Sequence, residues 1–239
     1  MERRDSVGAY EKLLLLPLLQ GLSKDDITTI AGRVKLAFGR VAAGKYIIRT
    51  GEKTAGLWFV LDDSEVLVSH SLRGGVVGFE ETLSGIRMFG AETLFGMSQI
   101  YEFSVKSLNE CSTLYIRKSD VINHILYYEV CRFNMLGYLS LRLQRVSTRL
   151  SQAPEQRLMG RLVQFLEHNF IYPAGDKRVI AKMTDMAGCL FTTRRHLSNL
   201  LNSLQREGLV VLGRKHFEIK RFQDLVNYNA AQRQLEDRI

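Results

Sequence analysis

The chain has 239 residues, 46% hydrophobic and 24% charged, with 33 Lys and Arg against 25 Asp and Glu for a formal net charge of +8. With only three prolines it can bury a real core in two modest domains, which excludes extended disorder. Its basic balance fits an anionic partner such as nucleic acid, and Cys111, Cys131 and Cys189 form neither a CxxC nor a metal-ligand spacing, which points to a reducing compartment. At the start, Arg3, Arg4 and the apolar run Leu13 to Leu19 resemble a signal peptide only superficially. Glu11 and Lys12 abut that run and no small-residue cleavage site follows. No run is long enough to span a bilayer, so a cytoplasmic protein without membrane contact is expected.

Residues from about Tyr10 to Phe38 read as helical, with Ser23 capping Lys24-Asp25-Asp26 ahead of an Ile27, Ile30, Ala31, Val34 face. From Gly39 the period changes. Glycines from Gly44 to Gly96 punctuate short β-rich runs: Tyr46–Ile48, Leu57–Leu61, Glu65–Val68, Val105–Leu108 and Ser112–Ile116. Many short strands with glycine turns indicate a β-sandwich or β-roll, and Leu72-Arg73-Gly74-Gly75 reads as a hairpin turn. A long helix is predicted from about Ser119 to Ser151. Along it Leu136, Leu139, Leu143, Val146 and Leu150 alternate steps of three and four, an a/d seam suited to a homodimer, with packing against the β-domain as the competing reading. Ala153-Pro154 breaks this helix and marks a domain boundary. A further helix carries Leu158, Leu162, Phe165 and Leu166 inward.

The stretch from Lys182 to Lys220 is the most telling. A short helix with Met183, Met186, Ala187 and Leu190 on one face leads through a turn into a second helix. There Leu197, Leu200, Leu201 and Leu204 fall at i, i+3, i+4 and i+7, one buried stripe. Thr192 and Thr193 open that helix, and Thr193 is placed to cap it. Arg194, Arg195, Asn199 and Asn202 occupy its other face. Two arginines directly after a cap oppose the helix dipole, a cost that makes sense where cations and backbone N–H groups are aimed together at something anionic. Arg and Asn are also the side chains that contact guanine and adenine edges in the major groove. Leu209–Leu212 and His216–Ile219 then read as two strands around Gly213-Arg214-Lys215, a basic tip suited to phosphate. Between Arg178 and Arg221 nine basic residues face three acidic ones, so most of the chain's net charge lies in this segment.

Taken in this order, the chain resembles the Crp/Fnr superfamily of bacterial transcription regulators over nearly its whole length. Leu18-Leu19-Gln20-Gly21-Leu22-Ser23 is similar to the family's first helix and turn, and Ala43 through Glu52 to a glycine-bounded strand of its cyclic-nucleotide-binding roll. Thr193 through Leu197 and Glu207 through Val210 are similar to its recognition helix and the start of its wing. The resemblance implies an α+β chain in three parts: a cyclic-nucleotide-binding-like β-roll (jelly roll) over residues 1–118, a dimerisation helix over 119–152, and a winged helix-turn-helix over 153–239. The implied partners are a second copy of the chain and double-stranded DNA with a two-fold symmetric site, RNA polymerase being a further candidate. DNA contacts are expected from Thr192, Thr193, Arg194, Arg195, Asn199, Arg214 and Lys215.

The departures from the family pattern bear on mechanism. Members that bind cyclic nucleotides carry a phosphate cassette beginning Phe-Gly-Glu, with an Arg-Ser pair about a dozen residues on. Here the cassette starts at Phe89-Gly90, Ala91 takes the glutamate position, and Tyr101-Glu102 stand where the pair would be. A phosphate there would lose its bidentate cation and face a carboxylate. A one-residue slip puts Glu92 near a ribose, but no register supplies the arginine, so no cyclic AMP binding is expected. The recognition helix also differs: the family's Arg, Glu and later Arg correspond to Arg194, Arg195 and Asn199, so a different half-site is expected. Phe191 stands where the turn usually has glycine.

No cofactor or metal is predicted. The cysteines are too few and too scattered for an iron–sulfur sensor; His70 and His124 are the available haem ligands, each more plausible as an ordinary side chain, and Cys111 reads as a buried apolar residue. An unrelated small effector in the roll, or none, is left. Two rival readings are a cyclic-nucleotide-binding regulatory module whose C-terminal domain contacts protein, and a cupin-like enzyme. The missing phosphate arginine and the Arg194-Arg195 helix oppose the first. Five scattered histidines with no HxH oppose the second.

Overall fold

The computed structural model describes residues 9–72 and 74–236. The first helical stretch is two short helices, α1 (Ala9–Leu14) and α2 (Lys24–Arg33), and Phe38 lies beyond them in a strand. Ser23 starts α2 through a reciprocal capping box with Asp26. There follow β1 (Ala37–Val41), β2 (Tyr46–Ile48), β3 (Gly56–Val60), β4 (Val66–Ser71), β5 (Val77–Leu83), β6 (Arg87–Phe89), α3 (Ala91–Leu94), β7 (Ser104–Ser107) and β8 (Cys111–Arg117). Strands β1, β8, β3 and β6 form one antiparallel sheet in that order, and β2 pairs with β7.

The long helix predicted from Ser119 is interrupted. A short turn α4 (Lys118–Asp120) runs into a wide helical turn over Val121–Ile125, and α5 (Glu129–Leu150) starts afresh. The guanidinium of Arg132 donates to the carbonyls of Leu126 and Tyr127 at 3.0 and 2.9 Å, satisfying backbone groups that the break would orphan. The chain continues through α6 (Leu158–Asn169), β9 (Lys177–Ala181), α7 (Met183–Cys189), α8 (Arg194–Arg206), β10 (Val211–Gly213), β11 (His216–Ile219) and α9 (Phe222–Glu236).

Two compact units result, Met1–Val66 with Ser84–Gln144, and Leu67–Leu83 with Arg145–Ile239. In the first, Leu16, Ile27, Leu57, Phe59, Leu114 and Cys131 belong to one apolar core. In the second, Phe79, Leu162, Phe170, Val179, Leu201 and Phe222 belong to another. The β4–β5 hairpin, which sequence order places in the first domain, therefore packs with the C-terminal unit. Gly74 and Gly75 supply the positive φ angles of its turn, at 90° and 70°, while Arg73 of the same turn lies outside the described residues.

The hairpin is held by strand pairing and by charge. β5 runs antiparallel to β9, β9 to β11 and β11 to β10, so the wing sheet gains the hairpin as a further strand pair. Lys177 on β9 and Glu81 on β5 meet at 2.7 Å with no exposed side-chain surface on either. Glu81 also accepts from the backbone N–H groups of Ile171 and Tyr172 at 2.7 and 2.9 Å. Burial lowers the Lys177 ammonium pKa, with Glu81 opposing that shift. Beside them Phe79 packs edge-on against Phe170 at 5.5 Å and stacks with His70 at 5.2 Å. The His70 Nε2 is bonded to the Asn169 carbonyl at 2.8 Å, so this candidate haem ligand is occupied in packing.

Lys177→Met strands a buried carboxylate and is expected to cost about 3–5 kcal/mol, read from the urea unfolding midpoint. Adding Glu81→Gln to it should recover part of that loss, because the amide oxygen still accepts from Ile171 and Tyr172 without a charge. A double variant no more stable than the single one would show that the ion pair is not what makes Lys177 costly to replace.

Candidate nucleic-acid interface

Helix α8 forms as its sequence pattern requires. Leu197, Leu201 and Leu204 are buried and Leu200 is packed beside them in the core of the second unit. The hydroxyl of Thr193 accepts from the His196 N–H at 3.2 Å and fixes the start of the helix. Helix α7 precedes it across a tight turn in which the Phe191 and Thr192 N–H groups bond the carbonyls of Gly188 and Ala187. Phe191 takes a φ of 50°, the left-handed conformation that glycine would adopt without strain. Its ring is 88% exposed, so no packing inside the chain compensates.

Opposite the buried stripe, Arg194, Arg195 and Asn199 are all exposed. They stand in the first two turns of α8, so the arginine charges add to the positive end of the helix dipole instead of opposing it. The wing brings a second pair of cations. β10 and β11 are joined through Gly213-Arg214-Lys215-His216, and Lys215 holds the turn with a φ of 64°. Its carbonyl accepts from the Ala181 N–H at 2.9 Å, which ties the tip to β9. Among the described residues, no hydrogen bond or ion pair engages the side chains of Arg194, Arg195, Arg214 or Lys215. Four cations of one unit are thus left to solvent or to an anion.

In the first unit the cassette positions are filled by the chain's own side chains. Phe89 and Ala91 are buried, and Gly90, with a φ of 98°, begins α3. A Cβ at Gly90 would meet the Gly56 carbonyl and the Tyr101 hydroxyl, each at 3.1 Å. Tyr101, which the resemblance puts where a phosphate arginine is expected, is only 3% exposed. It packs edge-on against Phe103 at 5.9 Å, its hydroxyl donates to the Gly56 carbonyl at 3.4 Å, and burial raises its phenol pKa. Glu102 is exposed. Glu92, placed by the one-residue slip near a ribose, is instead paired with Arg142 of α5 at 2.5 Å and accepts from the Tyr138 hydroxyl at 3.0 Å. Sequence reasoning missed this link because Glu92 lies 46 positions from Tyr138 and farther still from Arg142.

Helix α5 divides the seam read from the sequence. Leu139 turns inward, packed with the buried Cys131 and Met135 against the core of the first unit. Leu136, Leu143 and Val146 stay exposed, and Phe133, which the sequence reading did not include, joins them at 64% exposure. Its spacing of three from Leu136 was the available signal. The side chain of Leu150 lies outside the described residues. Cys111 and Cys131 are buried free thiols, and burial pushes the Cys131 pKa up to about 11.

No helix among the described residues is long and apolar enough to cross a membrane. No curated protein sequence matches the chain. Its fold is similar to that of a catabolite activator protein from Thermus thermophilus, at 20% identity over 87% of this chain and 96% of that one, with a TM-score of 0.47. It is likewise similar to the c-di-GMP responsive global regulator CLP of Xanthomonas campestris (16% identity, 83% and 99% covered, TM-score 0.47). FixK2 from Bradyrhizobium japonicum is a further such structure (15% identity, 80% and 96% covered, TM-score 0.44). Residues 156–228, which hold α6 through the wing and the start of α9, match the model of the Crp-like helix-turn-helix domain. This match covers less than half of the chain, and it shows a Crp-like helix-turn-helix domain in the second unit.

Proposed function

We propose that the protein is a cytoplasmic homodimer that binds a two-fold symmetric DNA site and does so without cyclic AMP. The observation that carries the DNA reading is the set of uncommitted cations, Arg194 and Arg195 at the capped start of α8 and Arg214 and Lys215 at the wing tip. In this reading α8 lies in the major groove, Arg194 reads a guanine, Asn199 an adenine, and Arg195 a base or phosphate. Thr192, Thr193, Arg214 and Lys215 hold the phosphate backbone on either side. An asparagine and an arginine where the family pattern has arginine and glutamate give an operator different from that of the cyclic-AMP receptor.

Dimerisation rests on the exposed apolar stripe of α5. Phe133, Leu136, Leu143 and Val146 are larger than a solvated helix face needs, and a partner helix would remove them from water. Two copies related by a two-fold axis then present two recognition helices to a palindrome. Independence from cyclic AMP rests on Tyr101, whose buried phenol offers a phosphate no cation and, at neutral pH, no charge complement. RNA polymerase is the protein partner this function implies.

Selection from a random duplex pool, with purified protein and no added ligand, should enrich a two-fold symmetric motif. Salt-sensitive binding to every duplex without enrichment would count against sequence reading by the unliganded protein. Arg194→Ala is expected to weaken specific binding by about 1–3 kcal/mol and relax preference at one base pair. Lys215→Ala should weaken all sequences alike and lower the salt slope by about one; unchanged slopes for both variants would overturn the interface. Leu143→Asp should halve the sedimenting mass, and an unaltered sedimentation profile would remove the α5 seam.

A further inference from the structure

The second unit contains a cavity of about 380 Å³ among α7, α8 and the wing. Its floor is apolar, with Met183, Met186, Leu201 and Phe217 among the lining side chains. Its rim is cationic. Lys182, Arg194 and Lys215 line it, while no carboxylate does. Gly213 belongs to the same wall, and the absence of a Cβ there matters, because one would stand 2.3 Å from the His216 imidazole. The ring can therefore lie against the strand and leave the mouth open, its Nδ1 3.2 Å from the Arg214 carbonyl.

Volume and chemistry together select a class of occupant. The space lies within the size range of small-molecule sites, and the half-buried Met183 and Leu212 are the apolar side chains that an apolar chain would reach, the flexible thioether of Met183 letting it adapt to variable shape. Three cations at the mouth, none of them engaged by a side chain of the described residues, favour an anionic head group over a neutral or cationic one. DNA supplies phosphate for the rim but no apolar chain for the floor.

We infer that the wing cavity binds an amphipathic monoanion, an aliphatic carboxylate of medium length, which occupies Arg194 and Lys215 and so releases the protein from DNA. The effector site then lies in the DNA-binding unit itself, where ligand and duplex compete for the same two cations. The competition rests on the DNA reading proposed above; the binding of the carboxylate does not.

The probe is decanoate, below its micellar concentration, titrated calorimetrically into the full-length protein without DNA. One saturable site per chain is expected, with 1-decanol binding at least about tenfold more weakly because it lacks the charge-assisted contacts. Met183→Trp and, separately, Leu212→Trp should fill the floor and abolish the heat while the melting transition remains cooperative. Decanoate should also raise the apparent Kd for duplex DNA in the wild type and leave it unchanged in a filled variant. Absent heat, equal affinity for decanol, or undiminished binding in both filled variants would each overturn the site. Decanoate binding that leaves the duplex Kd untouched would overturn the release mechanism. A protein that binds decanoate but no duplex under any condition would instead refute the DNA reading and leave the ligand site standing.

Discussion

A lysine and a glutamate with no surface in contact with water, Lys177 and Glu81, set the terms for the C-terminal half of this molecule. Neither charge is tolerable alone in that interior, and each is tolerable because the other stands 2.7 Å away while two backbone N–H groups satisfy the carboxylate. The pair also enforces register. Sliding β5 by one residue along β9 would turn Glu81 to the opposite face and leave Lys177 buried among apolar side chains. Phe79, two residues before Glu81 and on the same face of β5, then enters the core against which α8 packs. A hairpin drawn from the first third of the sequence is in this way a component of the unit that carries the DNA-binding motif.

That unit keeps its leucines inside and its arginines outside for one reason, the 3.6-residue period of α8. Thr193 starts the helix, the leucines face the core, and Arg194 and Arg195 are left on the outer face at its positive end. The wing adds charge by a different device, a tight turn held with a positive φ at Lys215 and anchored to β9 through a backbone hydrogen bond. Both arrangements carry local costs, dipole repulsion in one and strain in the other, and Phe191 adds a third. Such costs are kept where a binding surface needs its groups already in position.

The first unit is tied together around α3 by side-chain packing and charge. Tyr101 and Phe103 pack edge-on against each other, and Glu92 turns to α5. Its pairing with Arg142 and Tyr138 ties α3 to α5 through side chains alone.

The amphipathic period of α8, its cap, the basic wing tip and the glycine-punctuated strands were legible because each is a local property, decided within a turn of helix or a hairpin. Other features were decided only by the tertiary structure. The break at Leu126–Tyr128 depends on a guanidinium several residues away, and the inward turn of Leu139 depends on which face of α5 meets the core. Strand β9 has no counterpart among the segments read from the sequence: its first inward residue is a lysine, and burial of that lysine depends on the partner contributed by β5. Glu92 likewise carries no mark of its partner on α5. The sequence by itself determined that α8 is a helix, which of its faces is charged and where the positive charge gathers, since short-range periodicity and residue chemistry suffice for these. Pairings between residues 46 to 96 positions apart were settled by folding alone, because the cost of burying a charge is met only when its partner arrives.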